Sequence, residues 1–121
     1  MNTEIRTEIL NALPYFTGTM QMWEHRTPFG KLTLTDGCNF IRQKAECKWL
    51  FDLIQSHQPS VKQEEFQVWK LEKVNDMNFL ITCEDGDDNT LLTQKIPFSD
   101  FPLNGITVWL ADGICLLQSE Y

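Results

Sequence analysis

The sequence predicts an α+β fold, with helices packed on one face of a mainly antiparallel β-sheet. Apolar residues recur at helical spacing in two stretches of the first half. Short runs rich in β-branched and aromatic residues fill the second half, and turn-forming residues separate them. With 121 residues and a hydrophobic fraction of 42%, the chain suits one packed domain, residues 1–121.

The first helical pattern predicts a short N-terminal helix. Its apolar residues recur at helical spacing: Ile5, Ile9, Leu10 and Leu13. Asn2 or Thr3 is suited to cap its start, and Pro14 marks its end. We expect this helix to be amphipathic and to pack on the same face of the sheet as the longer helix that follows.

The second pattern predicts one long helix at about residues 38–56. Its stripe at spacings of three and four consists of Ile41, Ala45, Trp49, Leu50, Leu53, Ile54 and His57. Asp36 is a good N-cap, and Pro59 stops the helix soon after Gln58. Lys48 and Asp52, four residues apart on the other side, can form a weak ion pair.

Seven short runs predict strands: Met20–His25, Lys31–Thr35, Phe66–Val74, Phe79–Glu84, Thr90–Ile96, Ile106–Ala111 and Ile114–Leu117. Turn composition at Thr27–Gly30 joins the first two. Asp112-Gly113 is a hairpin signal, because a type I′ turn needs positive φ and glycine supplies it. Residues 98–103 predict a crossing loop, since Pro97 before it and Pro102 within it are excluded from central pairing.

The charge balance argues against some partners. The formal net charge is −7, and the sequence pI is near 4.7. An acidic chain repels nucleic-acid phosphates and anionic membranes, so direct binding to either is disfavoured and basic protein surfaces are the natural partners. The four cysteines include no CxxC pair and the N-terminus has no signal-peptide pattern, so we expect reduced thiols and a cytoplasmic location.

The stretch Glu84–Asn89, read as EDGDDN, is the most acidic in the chain. A calcium loop would require glycine at its sixth position and glutamate at its twelfth, where Thr90 and Ile96 stand. We therefore interpret it as a turn between two strands, with no metal. The candidate binding residues are its four carboxylates: Glu84, Asp85, Asp87 and Asp88.

An alternative site would use His57, His25 and Asp36 around a polar pocket at the end of the long helix. Either histidine could act as a general base near neutral pH. His57 could equally be a helix C-terminal cation or a half-buried side chain. No short spacing of histidine and cysteine suggests zinc, and no pattern suggests a cofactor. Trp23, Trp69 and Trp109 fall on predicted strands, where core packing is the favoured role.

Several strings together carry a resemblance: FTGT (16–19), TDG (35–37), WLFDLIQSHQ (49–58), FQVWKL (66–71), CEDGDDN (83–89), IPFSDFPL (96–103) and LLQSEY (116–121). Over nearly its full length, the chain resembles a family of small uncharacterised bacterial proteins, classed as a domain of unknown function and found partly on mobile elements. The resemblance implies a shared fold and brings no activity, cofactor or catalytic residue. Its mobile-element association suggests an accessory or counter-defence protein.

The sequence thus favours a non-enzymatic, acidic interaction protein that binds a basic protein surface. Its carboxylates at 84–88 would stand where nucleic-acid phosphates otherwise sit. The same carboxylates could instead serve only to keep an exposed turn solvated. The alternative function is a small enzyme or ligand-binding domain using the His57, His25 and Asp36 pocket. The oligomeric state is left open.

Overall fold

The structure is a computed structural model and describes residues 3–61 and 63–121. Its helices are α1 (Thr3–Ala12), α2 (Asp36–Lys44), α3 (Lys48–Ser56) and α4 (Gln58–Val61), with 3-10 turns at Leu13–Tyr15 and Gln118–Glu120. Its strands are β1 (Trp23–Thr27), β2 (Gly30–Leu34), β3 (Phe66–Asn75), β4 (Asn78–Asp85), β5 (Thr90–Ile96), β6 (Gly105–Ala111) and β7 (Ile114–Leu117).

The strands form one seven-stranded sheet in the order β1-β2-β7-β6-β3-β4-β5. Every neighbouring pair is antiparallel except β2 and β7, which run parallel through the register Thr33↔Ile114 and Leu34↔Cys115. The prediction of an α+β fold with a mainly antiparallel sheet is therefore confirmed. The parallel pair arises because the segment between β2 and β7 includes α2 and α3, a connection long enough for a crossover.

The prediction of one long helix at 38–56 is wrong, because the helix is interrupted between α2 and α3. Glu46 has a φ of 52°, in the left-handed region. The Cys47 N–H donates to the Arg42 carbonyl at 3.1 Å, and the Glu46 N–H donates to the Gln43 carbonyl at 3.3 Å. These two bonds are the Schellman arrangement that ends a helix, made here with glutamate where glycine is usual. The apolar stripe continues across the break, which is why its spacing suggests one helix.

The predicted helix caps need correction as well. Thr35, not Asp36, is the N-cap of α2, and its hydroxyl accepts from the Cys38 N–H. Asp36 is the first residue of the helix. The short N-terminal helix is confirmed as α1, with Ile9 buried against the core. Asn2, one of its two predicted caps, lies outside the described residues.

Most strands lie where the sequence places them. The predicted turns at Thr27–Gly30 and Asp112-Gly113 are confirmed as the β1–β2 and β6–β7 hairpin turns. Thr90–Ile96 and Ile114–Leu117 match residue for residue. Asp112 and Gly113 both have positive φ, 52° and 76°, as a type I′ turn requires. The first strand begins at Trp23, not Met20, because the Met20 N–H bonds to the Asp36 carboxylate instead of to a neighbouring strand.

The two faces of the sheet have different surroundings. On the face called inner below, α2 and α3 pack against β1, β2 and β7. Phe101 from the loop before β6 meets Phe79 of β4 with ring centroids 5.9 Å apart, so this loop extends the cover toward β4. The buried apolar side chains of the strands belong to this inner face: Leu32, Leu34, Trp69, Leu71, Phe79, Ile81, Cys83, Val108, Leu110, Cys115 and Leu117. The opposite, outer face has half-buried side chains.

Candidate functional site

The outer face carries three aromatic rings in mutual contact. The rings of Phe66 on β3 and Trp109 on β6 have centroids 5.1 Å apart, and Tyr121 lies 5.1 Å from Trp109 and 6.5 Å from Phe66. Phe66 and Trp109 are half-buried, whereas Tyr121 is 82% exposed. Edge-to-face packing of this kind orders the rings and leaves part of their surface accessible. These three residues are called the aromatic cluster below.

The EDGDDN stretch is confirmed as the turn between β4 and β5. The Asp85 carboxylate organises this turn, because it accepts from the Asp87 N–H at 2.8 Å, the Asn89 N–H at 3.0 Å and the Asn89 side-chain amide at 3.0 Å. The Asn89 amide and these backbone bonds lower the pKa of Asp85. Asp88 adopts a φ of 67°, which aspartate tolerates better than most residues. Asp85 therefore has a structural role, whereas Asp87 and Asp88 are exposed.

Segments that are distant in the chain meet at the end of the sheet where this turn lies. Asp85 pairs with Gln67 at the start of β3, and Phe66 pairs with Ala111 at the end of β6. A Cβ on Gly86 would lie 3.6 Å from the Phe66 ring, so the acidic turn lies next to the aromatic cluster. The six carboxylates gathered here are called the acidic end: Glu64, Glu65, Asp85, Asp87, Asp88 and Asp112.

The electrostatics of nearby groups reflect this gathering of charge. Burial, followed by the negative charges of Glu64, Glu84 and Asp85, raises the pKa of the Cys83 thiol to about 12. Lys70 on the outer face forms an ion pair with Glu84 at 3.0 Å, and the pKa of Lys70 is raised by Glu84 first. The charge of Glu84, one of the four predicted binding carboxylates, is therefore paired with Lys70.

The alternative site does not bring its three residues into one hydrogen-bond network. His25 bonds to Asp52 and Arg42, His57 bonds to the Gln94 side chain at 2.6 Å, and the Asp36 carboxylate accepts from Trp23 Nε1 at 2.9 Å. The Trp23 bond is the main reason that the pKa of Asp36 is lowered. Each residue has a different set of partners.

His25 is the most buried of these three, and its hydrogen bonds fix its tautomer. Arg42 Nη1 lies 3.0 Å from His25 Nδ1, and an arginine nitrogen can only donate. Nδ1 is therefore the acceptor, and Nε2 carries the proton that bonds to Asp52 Oδ1 at 2.7 Å. Asp52 consequently pairs with His25 and not with Lys48, the partner expected from helical spacing. The ring is 2% exposed, so the arrangement joins β1 to α2 and α3 and offers no open face to a substrate.

Sequence reasoning missed the residues that enlarge the acidic turn into a surface. Glu64, Glu65 and Asp112 lie far from the turn in the chain, and only the pairing of β3 with β4 and β6 brings them to it. Trp109 was expected in the core and is half-buried on the outer face instead. Strand alternation could have indicated this, because it places Trp109 on the opposite face of the sheet from Val108 and Leu110.

Comparison with known proteins assigns the chain to a family. The family model of DUF6876, a family of unknown function, matches residues 7–121. The chain belongs to this family. The matched segment of the DUF6876 chain contains the acidic end and the aromatic cluster in full. No curated protein and no solved structure shows significant similarity to it.

Residues 3–61 and 63–121 show neither a metal-binding cluster nor a membrane-spanning helix. In this part of the chain, no group of three or more His, Cys, Asp or Glu side chains is arranged to hold a metal ion. Among the helices described there, none has the length and apolar character needed to span a membrane.

Proposed function

We propose that this DUF6876 protein is a non-enzymatic interaction protein whose acidic end and aromatic cluster bind a basic surface of another protein. The observation that carries the proposal is the position of Gly86, in the acidic turn, next to Phe66 in the cluster: a Cβ added to Gly86 would lie 3.6 Å from the Phe66 ring. This proximity supports the proposal, because it brings the carboxylates of the turn and the aromatic rings to the same end of the sheet.

The chemistry of this surface suits arginine and lysine side chains. Carboxylates attract both cations, and the face of a tryptophan or tyrosine ring attracts a cation through its quadrupole. Exposed carboxylates alone give weak, salt-screened attraction. Tyr121 and Trp109, whose rings pack with Phe66, add partly accessible apolar area, and such area supplies affinity that salt does not screen.

A partner whose basic surface normally binds nucleic acid fits this arrangement best. Such a surface carries arginines and lysines spaced to meet phosphates, and the acidic end would compete with those phosphates. The mobile-element association implied by the family resemblance makes host nucleic-acid-binding and defence proteins the class to test first.

The first test measures binding of a fluorescent octalysine peptide by anisotropy at about 0.15 M salt, where charges beyond roughly 8 Å are screened. The variant Asp87→Lys/Asp88→Lys reverses exposed charge at the acidic end and leaves the turn-forming Asp85 in place. The matched control is Asp76→Lys/Asp100→Lys, which makes the same change at exposed positions at the other end of the sheet.

We expect the native chain and the control to bind the peptide alike, with the acidic-end variant at least about tenfold weaker, a change of about 1.4 kcal/mol. Affinity capture from bacterial lysate with the same three proteins should then identify partners lost only with the acidic-end variant. Equal binding by the two variants would refute the proposal, because the attraction would then depend on net charge alone.

A further inference from the structure

The end of the sheet opposite the acidic end carries apolar side chains that are exposed or half-buried. It is formed by the turn between β3 and β4 and by the residues that follow β5. Asn78 and Asp85, the first and last residues of β4, lie roughly 24 Å apart at a rise of about 3.4 Å per residue. The apolar side chains gathered here are called the apolar end: Val74, Met77, Leu80, Ile96, Pro97 and Phe98.

Phe98 lies outside the core in an unusual backbone conformation. Its φ is 59°, in the left-handed region that a bulky residue seldom adopts. The Ser99 N–H donates to the Met77 carbonyl at 2.8 Å and so ties the residue after Phe98 to the turn between β3 and β4. The Phe98 side chain is 81% exposed. A strained residue persists only where the surrounding structure fixes it, and such residues are frequent at binding sites.

A groove of about 490 Å³ lies next to Phe98. Val74 and Leu80 line it together with Ile96 and Pro97, the two residues that precede Phe98 in the chain. This volume falls within the roughly 300–1,000 Å³ of typical ligand sites, so the groove has room for an aromatic side chain. The apolar end therefore combines a projecting ring with an apolar groove beside it.

The charges around the apolar end are balanced, unlike those of the whole chain. Lys95 lines the groove, and Lys73 Nζ lies 5.9 Å from the centroid of the Phe79 ring. Arg6 donates to the side chain of Asn104, whose backbone carbonyl accepts from the Lys73 N–H. Three cations and three anions surround this end: Arg6, Lys73, Lys95, Glu72, Asp76 and Asp100. Their formal sum is zero, in a chain with a net charge of −7.

This balance favours a second copy of the chain as the occupant. Two copies that each carry a charge of −7 repel each other, most strongly at their acidic ends. The apolar end lies well beyond the roughly 8 Å over which those charges act at about 0.15 M salt. A two-fold contact joins the same patch from both copies, so the patch must complement itself. The apolar end meets this condition with both a ring and a groove and with both signs of charge. A strongly acidic or strongly basic partner would instead meet like charges there.

We propose that the apolar end is the interface of a homodimer, in which Phe98 of each copy enters the groove of the other. The buried rings and aliphatic side chains supply the attraction. Lys73 and Lys95 of one copy can then pair with Asp76 and Asp100 of the other. The inference goes beyond the proposed function and does not rest on it, because both acidic ends remain free in such a dimer.

The size of the patch sets the expected affinity. It has twelve residues, counting the six apolar and the six charged side chains named above, whereas a standard interface has roughly 20–30 residues a side. We therefore expect a weak dimer, with a dissociation constant of about 10–100 µM.

The first experiment measures the monomer–dimer equilibrium by sedimentation equilibrium at concentrations that span this range. Phe98→Ser should weaken dimerisation at least about tenfold. Phe29→Ser is the matched control, since it removes an aromatic ring that is 70% exposed in the turn between β1 and β2. Both rings are exposed, so both variants should fold like the native chain. A native chain that stays monomeric, or an equal loss of dimer in the two variants, would overturn the inference.

The second experiment tests whether the occupant is another copy of the chain. The variants Lys73→Glu/Lys95→Glu and Asp76→Lys/Asp100→Lys each place like charges on both sides of the proposed interface. Each alone should dimerise at least about tenfold more weakly than the native chain. An equimolar mixture should recover the native level of dimer, because opposite charges then meet. Both variants remain net negative, so mixing brings no general attraction. A mixture that associates no better than its components contradicts the inference.

Octalysine binding separates this inference from the proposed function. Phe98→Ser lies at the opposite end of the sheet from the acidic end, so it should bind the peptide like the native chain while remaining monomeric. A native monomer that binds octalysine overturns the dimer and leaves the acidic interaction surface intact. A native dimer without affinity for octalysine supports the dimer and overturns the proposed function.

Discussion

The two faces of the sheet contrast in burial and in chemistry. Along β3, Trp69 on the inner face is 1% exposed, whereas its neighbours Phe66 and Val68 on the outer face are half-buried. Leu71 continues the buried inner row, and Lys70 on the outer face pairs with a carboxylate. The inner face is closed by helices and the loop before β6, while the outer face keeps rings and charges within reach of solvent.

This difference indicates that the two faces serve different ends. The inner side chains exclude water and supply the hydrophobic stabilisation of the fold. An outer face needs no large aromatic residue for folding, and polar or β-branched side chains would suffice. Aromatic residues are enriched at protein–protein interfaces, and the nearby carboxylates complement a cationic partner, which is why the proposed function uses this face.

Two tryptophans on adjacent strands test the contrast most directly. Trp69 pairs with Val108, and Trp109 pairs with Val68, so the rings lie one residue apart in register on opposite faces. Trp69→Ala should cost about 3–5 kcal/mol, because it empties a buried site and removes the donor to Gln67. Trp109→Ala should cost only about 1–2 kcal/mol, since its half-buried ring loses less contact. Urea unfolding of both variants measures the difference, and equal losses would erase the distinction between the faces.

Glu120 connects the two faces, and its removal should have the next largest effect. Its carboxylate accepts from the Thr35 hydroxyl at 2.6 Å, the Gly37 N–H at 3.0 Å and the Leu117 N–H at 2.9 Å. These bonds anchor Glu120, the residue before Tyr121, at the N-terminus of α2. The helix dipole favours negative charge at that position. Glu120→Ala should lower the free energy of unfolding by about 1–3 kcal/mol.

The neighbouring exposed residue provides the control for Glu120. Gln118→Ala lies in the same 3-10 turn and should stay within about 0.5 kcal/mol of the native chain. If both variants lose the same small amount, Glu120 does not join the two faces.

Strand positions and turns could be predicted from sequence because they depend on local chemistry. Asp112-Gly113 and the 84–89 stretch fold as turns for reasons contained in those residues themselves. The break after α2 could not be predicted, because Ala45, Glu46 and Cys47 include no glycine, proline or asparagine. Tertiary packing of α2 and α3 imposes a left-handed conformation that glutamate adopts at a cost.

That cost gives a prediction of a gain in stability. Glu46→Gly should stabilise the chain by about 0.5–1 kcal/mol, because glycine removes the strain of positive φ and loses part of this gain to unfolded-state entropy. Glu46→Ala keeps the Cβ and should bring no such gain. A urea midpoint that rises for alanine as much as for glycine would assign the effect to the lost charge and not to the backbone.

The candidate site was only partly predictable from sequence, because most of it is assembled by topology. The acidic turn is local and was identified. Its union with Glu64, Asp112 and Phe66 depends on β3 lying between β4 and β6, which spacing along the chain does not reveal. Gln67 illustrates the same limit. A polar residue between the half-buried Phe66 and Val68 suggests a solvent-exposed position, yet Gln67 is buried and bonds to Gln58.

The smallest expected effect on stability belongs to the residue most exposed in the aromatic cluster. Tyr121 is 82% exposed, so Tyr121→Ala should change the free energy of unfolding by no more than about 0.5 kcal/mol. Its binding effect should be larger than its folding effect, because an exposed cation–π contact is worth roughly 0.5–1 kcal/mol, about a two- to fivefold loss of affinity for a basic peptide. Tyr15→Ala is the matched control, since Tyr15 is 85% exposed beside α1 and belongs to no part of the acidic end. Peptide anisotropy on both variants decides the matter: a loss confined to Tyr121 places recognition on the outer face, and equal affinities would reduce the aromatic cluster to packing alone.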